Sequence, residues 1–189
     1  MKKTWTIDKS FNFAYGHRVH NQVLNADYTG SEGTCLACRH IHGHEGLIKV
    51  MLESTTLNNG FVTDFKNLGW FKDFLDNVLD HKFVMDINDP LIVHEVPEYL
   101  DGKDLDLDKC FLFPEGYWMP NLGILPGDTI QAVIEKYEGI VFVDFVPTSE
   151  NLAAWLLEVA QKKMAKLDVK VVAVDFWETP KSHCRVDVA

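Results

Sequence analysis

Three histidines carry the first chemical signal in this chain. His42 and His44 flank Gly43 in His42-Gly43-His44. On an extended strand, residues two apart project to the same side, with backbones about 7 Å apart. Two imidazoles spaced this way can converge on one metal ion, and glycine between them permits a close approach. His17 ends a separate apolar alternation and supplies a third imidazole. Three neutral imidazoles with an open fourth position are the donor set of a catalytic zinc rather than a closed structural one. An ordinary pair of polar residues at strand ends gives the same spacing, so both readings stand at this level.

Cys38, four residues before His42, can be read in two ways. Cys35, Cys38, His42 and His44 could close a tetrahedral zinc knuckle that holds a loop and catalyses nothing. Alternatively, Cys38 is a thiolate base beside the metal. Asp80-His81 falls at the end of an amphipathic helix; such a pair can charge and orient an imidazole for proton transfer, or simply place a histidine at a helix end. Glu178 ends the apolar parity Val172, Val174, Phe176. A carboxylate there needs a hydrogen-bonding partner, and a ligand with adjacent N–H donors, a lysine or solvent would each serve. His20, His40, His94 and His183 show no partner spacing.

The elements that must position these groups can be read from periodicity. Trp5, Ile7, Phe11 and Phe13 alternate with polar residues, predicting a half-buried strand over 4–13 that extends towards Tyr15 and His17. A second strand is predicted over about 42–53, with Ile48, Val50 and Leu52 on the parity of the two histidines. The long loop between them predicts an antiparallel pair. Asp64 is placed to cap a helix over 65 to about 80 with the stripe Leu68, Phe71, Leu75 and Val78. A second helix opens at Pro147-Thr148-Ser149-Glu150, with Leu152, Trp155, Leu156, Val159 and Ala160 at helical spacing. Strands at about 169–178 and 183–188 follow. This order predicts an α+β fold with an antiparallel sheet.

Residues from about 89 to 146 read as an insertion in a single domain spanning 1–189. Prolines and the acidic run Asp101–Asp108 punctuate it. Thr129–Glu135 and Ile140–Val146, flanking Tyr137-Glu138-Gly139, predict an added hairpin.

The formal net charge of −10 leaves no basic footprint for nucleic acid or an anionic membrane. The N-terminus lacks the apolar run of a signal peptide, and no stretch is long enough to span a bilayer. Four cysteines in such a chain are read as thiols, and the protein as cytoplasmic and soluble.

Taken together, these segments resemble the 6-pyruvoyl-tetrahydropterin synthase and 6-carboxytetrahydropterin synthase family. The matching segments are Phe11–Arg18, Cys38-Arg39-His40-Ile41-His42-Gly43-His44, Gly60-Phe61-Val62-Thr63-Asp64-Phe65, Leu79-Asp80-His81, Pro147–Leu152 and Glu178-Thr179. They occur in the family's order and cover most of the chain outside the insertion.

The resemblance implies zinc bound by His17, His42 and His44, with Cys38 as general base and Asp80–His81 as proton relay. It implies a pterin anchored by Glu178 near Thr148, Ser149 and Glu150. It further implies a tunnelling fold with two helices on one face of the sheet, assembled as a hexamer of two stacked trimers with sites between subunits. Glu178 and the zinc then need not meet within one chain. Three residues separate Cys38 from His42, which is similar to the 6-carboxytetrahydropterin synthases of the queuosine route.

The activity implied is conversion of 7,8-dihydroneopterin triphosphate to 6-carboxy-5,6,7,8-tetrahydropterin with release of acetaldehyde and triphosphate. The nearer alternatives are a pyruvoyl-type triphosphate lyase or a dihydroneopterin aldolase; the distant one is a non-enzymatic zinc module. The chain departs from the family pattern at Gly16, where alanine is more usual, at Lys82–Asp86, where Leu-Asn often stands, and in the insertion. Arg18, Arg39, Lys66 and Arg185 are candidates to receive the triphosphate.

Overall fold

The structure is a computed structural model that describes residues 3–29 and 36–188. In chain order the elements are β1 (Trp5–His17), α1 (Ala26–Thr29), β2 (His42–Ser54), α2 (Gly69–Val78), β3 (Lys82–Asp86), α3 (Ile92–Glu95), β4 (Leu100–Asp101), β5 (Asp104–Leu105), β6 (Cys110–Phe113), β7 (Tyr117–Pro120), α4 (Gln131–Glu138), β8 (Ile140–Val143), α5 (Ser149–Met164), β9 (Lys170–Thr179) and β10 (Ser182–Asp187). The chain divides into two compact units. One comprises residues up to Ala14, His44–Asp80 and Ser149 onward; the other comprises Tyr15–Gly43 and His81–Thr148.

In the first unit the strand order is β10-β9-β2-β1. β9 runs antiparallel to both β10 and β2, with Ile48 opposite Phe176 and Val50 opposite Val174. The alternation read from the sequence sets this packing: Phe11 and Phe13 are buried, while Asp8, Ser10 and Asn12 face solvent. Phe13 meets Phe176 edge-on, and Phe11 packs on Phe71 of α2 at 5.3 Å between ring centroids. Phe74 of α2 meets Trp155 of α5. Both helices therefore cover the same apolar side of the sheet, and each fully buried Leu or Phe there contributes roughly 1.5–3 kcal/mol.

The Asp64 carboxylate accepts from the Lys66 N–H at 2.8 Å. The turn it opens, Phe65–Leu68, is 3-10 rather than α, so α2 begins later than the periodicity implied. α2 also stops at Val78. Leu79 and Asp80 both donate to the Leu75 carbonyl, and His81 takes a left-handed conformation at φ 58°. This is a common way to end a helix, although glycine usually fills the left-handed position. The Asp80-His81 pair thus belongs to the closing turn, beyond the helix.

In the second unit the strand order is β1-β3-β8-β7-β6. β3 runs parallel to β1 through Tyr15 and Gly16, and parallel to β8 along its length. β7 is antiparallel to β8 and β6. The α+β architecture is as expected, with parallel pairs added to an antiparallel-rich sheet. A parallel pair needs a long crossover, and the segment from 87 to 139 provides it between β3 and β8.

The hairpin expected over 129–146 is corrected. Its second half is β8, but residues 131–138 form helix α4, whose Tyr137 is buried and whose Val133 packs into the same core. Val133 and Tyr137 lie four apart, a helical spacing that the flanking alternation obscured. The hairpin of this region is β6/β7, with Phe113 opposite Tyr117. Met85, Ile92, Val96, Tyr99, Tyr137, Ile140 and Phe142 form a core around these elements. The insertion is therefore a packed structure, and its acidic run carries the small β4/β5 pair.

Candidate metal and pterin site

His17 is the last residue of β1, and the strand's parity turns its ring inward with Phe11, Phe13 and Tyr15; it is fully buried. Its Nδ1 lies 2.6 Å from the carbonyl oxygen of Pro147. A carbonyl only accepts, so Nδ1 carries the proton and Nε2 carries the lone pair. His42, at the start of β2, repeats the arrangement with Nδ1 2.8 Å from the His40 carbonyl. The rings of His17 and His42 lie 4.5 Å apart between centroids. Both imidazoles are held in the tautomer that presents Nε2 to a metal, a role commonly set by such outer hydrogen bonds.

His17, His42 and His44 each offer one ligand atom, and these atoms lie within 4.8 Å of one another. Imidazole nitrogens around a tetrahedral zinc, each about 2.0–2.1 Å from it, stand about 3.4 Å apart. Closing from one spacing to the other requires only small ring movements. The donor set is all nitrogen, with no carboxylate or sulfur, and it fits a divalent ion that keeps an open position. Among the described residues no cysteine joins the group. Cys35, needed for the alternative knuckle, lies outside the described residues.

Cys38 is part-buried and a free thiol, in the 3-10 turn Ala37–Arg39. Its N–H donates to the Gln22 side chain at 3.1 Å, and its carbonyl accepts from Val19 at 2.7 Å. Arg39 clasps the Gln22 carbonyl through Nε and Nη2. The turn bearing the thiol is thus tied to the stretch that follows β1.

Glu178 lies at the end of β9, where the register places Trp177 opposite Leu47 of β2. Its Oε1 stands 3.5 Å from His44 Nε2. The sequence left this carboxylate free to serve a site on another subunit, whereas within one chain it borders a member of the histidine group. Asp80 Oδ1 accepts from the Ala14 N–H at 2.7 Å, fastening the α2 closing turn to β1. His81 is exposed. Thr148 and Ser149 are part-buried and Glu150 exposed at the start of α5, where the Ser149 hydroxyl donates to Glu150.

Burial raises the Cys184 thiol pKa above its ordinary value, with the charges of Glu150 and Asp175 adding to the rise. Cys110, pushed up to about 11 by burial and the Asp106 charge, is likewise held as a neutral thiol. Neither is a nucleophile near neutrality.

The sequence missed two pairings. Arg18, a candidate for the triphosphate, sits 3.2 Å from buried Asp89. His20, which showed no partner spacing, sits 3.0 Å from buried Asp86. Asp86 ends β3 and Asp89 opens the insertion, and only three-dimensional placement reveals the two pairs. Arg185, another triphosphate candidate, is engaged by Asp187 and Asp175. Asp175 also holds His183 at 2.9 Å.

The chain matches the family described as 6-pyruvoyl tetrahydropterin synthase over residues 6–188. It is similar, at 30% identity over 94% of each chain, to a protein of Aquifex aeolicus (strain VF5) named 6-carboxy-5,6,7,8-tetrahydropterin synthase. Among solved structures it is similar to an uncharacterized protein of Wolinella succinogenes, with a TM-score of 0.91 and 45% identity over 98% of each chain. It also shares its fold with the 6-pyruvoyl tetrahydropterin synthase of Caenorhabditis elegans, with a TM-score of 0.54 and 20% identity over 99% of this chain and 97% of that one. A match covering nearly the whole sequence places this chain in the 6-pyruvoyl tetrahydropterin synthase family.

Proposed function

We propose that this protein is a zinc-dependent lyase that converts 7,8-dihydroneopterin triphosphate to 6-carboxy-5,6,7,8-tetrahydropterin, releasing acetaldehyde and triphosphate. The observation that carries the reading is the grouping of His17, His42 and His44, two of them with Nδ1 directed at backbone carbonyls. The name of the Aquifex aeolicus relative supports the carboxy-forming branch.

Zinc, when bound, supplies a Lewis acid that makes the hydroxyls of the pterin side chain more acidic. The remaining roles fall to the chain. Cys38 as thiolate takes the proton next to the ring, and Asp80 with His81 relays protons to and from the reacting side chain. Glu178 accepts hydrogen bonds from the pterin amino group and ring N–H, a pairing that fixes the ring's orientation. Thr148, Ser149 and Glu150 border the pterin.

The protein acts in this reading as one synthase domain elaborated by its insertion, assembled as a hexamer of two trimers in the cytoplasm. No described helix is long and apolar enough to cross a membrane.

Incubation of zinc-loaded protein with 7,8-dihydroneopterin triphosphate tests the reaction. Mass spectrometry should find the 6-carboxy product, and an aldehyde assay should find acetaldehyde. A pyruvoyl product without aldehyde would assign the chain to the other branch, and an untouched pterin would refute the lyase reading.

A further inference from the structure

We infer that Asp86, the last residue of β3, and Asp89, at the start of the insertion, are positioning residues for the His17 imidazole. The inference rests on the metal reading of the histidine group. It concerns what holds one ligand in place.

The two carboxylates are among the most buried charges in the protein, 4% and 1% exposed. Each divides its oxygens in the same way. Asp86 Oδ1 accepts from the N–H and side-chain amide of Asn88, and Asp89 Oδ1 accepts from the N–H of Leu91. These bonds shape the insertion's own first turns. The second oxygens reach back to the segment just past His17: Asp86 Oδ2 to His20 Nε2 at 3.0 Å, and Asp89 Oδ2 to Arg18 Nε at 3.2 Å.

The residue that follows the insertion reaches the same segment, because the Pro147 carbonyl receives the His17 Nδ1 proton. Asp89 and Asp86 hold the side chains one and three residues beyond the ligand, and Pro147 holds the ring. Stability alone is a weak reason for burying two carboxylates, since well-packed apolar side chains of similar size are often as stable as a buried ion pair. Holding a ligand's orientation is a reason that apolar side chains could not satisfy.

Asp89→Asn separates the two roles of that carboxylate. The asparagine carbonyl still accepts from Leu91, whereas its neutral amide no longer pairs with the Arg18 charge. Zinc affinity should be measured by competition with a chromogenic chelator, together with the visible spectrum of the cobalt-substituted protein. The variant should bind zinc about 10-fold more weakly and show an altered cobalt spectrum, in line with losses seen when groups supporting a metal ligand are removed.

A lowered melting temperature with wild-type zinc affinity and cobalt spectrum would make the pair purely structural and overturn the inference. If Asp89→Asn does not fold, Arg18→Gln, at the more accessible end of the pair, is measured the same way and judged by the same outcomes. A wild-type protein that takes up no zinc would refute the metal reading itself, and the inference with it.

Discussion

Gly43 passes so close to Tyr15 that a β-carbon at Gly43 would stand 2.7 Å from the Tyr15 carbonyl oxygen. The neighbouring strand's backbone therefore occupies the space that glycine leaves between His42 and His44. Real β-carbons do not approach a backbone atom this closely, so any side chain must push β1 and β2 apart.

Gly43→Ala should consequently do more than perturb a turn. Overpacking of this kind costs about 1–3 kcal/mol. The displaced backbone lies between two proposed ligands, so metal content should fall with stability. Urea denaturation and metal analysis of the purified variant check both, and wild-type values for both would show that the strands yield without consequence.

Cys38→Ala should retain zinc and lose turnover, because the thiol lies outside the nitrogen group. Metal analysis and product formation on the same sample decide this. Loss of zinc with activity would return the cysteine to the metal shell, and normal turnover would remove it from proton transfer.

Glu178→Gln keeps the shape of the side chain and removes the charge that would face the pterin. Hydrogen bonds to charged groups are worth about 1.5–3 kcal/mol, so pterin affinity should fall at least roughly 10-fold. Fluorescence titration with a reduced pterin measures it. Because the carboxylate also lies 3.5 Å from His44 Nε2, zinc affinity is measured alongside and should change less.

Burial raises the Cys110 thiol pKa from its ordinary value near 9 to about 11. The unfolded chain therefore loses this proton first as pH rises, and the folded state is disfavoured. The contribution is fully present below about pH 9 and is lost towards pH 11. Urea midpoints at pH 8 and pH 10.5 should fall less in Cys110→Ala than in the parent. Equal falls would assign the alkaline loss to other groups, among them Tyr99 and Tyr117, whose hydroxyls are raised to about 12.

Much of this site was legible before the structure because strand parity is a local property. His17 follows Phe11, Phe13 and Tyr15 on one parity, and His42 and His44 precede Ile48, Val50 and Leu52 on another, so the sidedness of each histidine is readable. α5 was readable for the same reason, through its helical stripe. What the sequence concealed is long-range. The five residues of β3 are too few to display a period, and its parallel pairing with β8 crosses the whole insertion. Neighbouring alternation hides the helical spacing of Val133 and Tyr137, so the sequence presents this helix as a strand. The approach of Glu178 to His44 depends on the β2–β9 register, and the Arg18–Asp89 and His20–Asp86 pairs depend on where the insertion returns.

X-ray absorption at the zinc edge of the metal-loaded protein tests the central claim most directly. Three imidazole nitrogens at about 2.0–2.1 Å with one further oxygen are predicted, the shell of a site that keeps room for a substrate. A sulfur scatterer at about 2.3 Å, or fewer than three imidazoles, would contradict it.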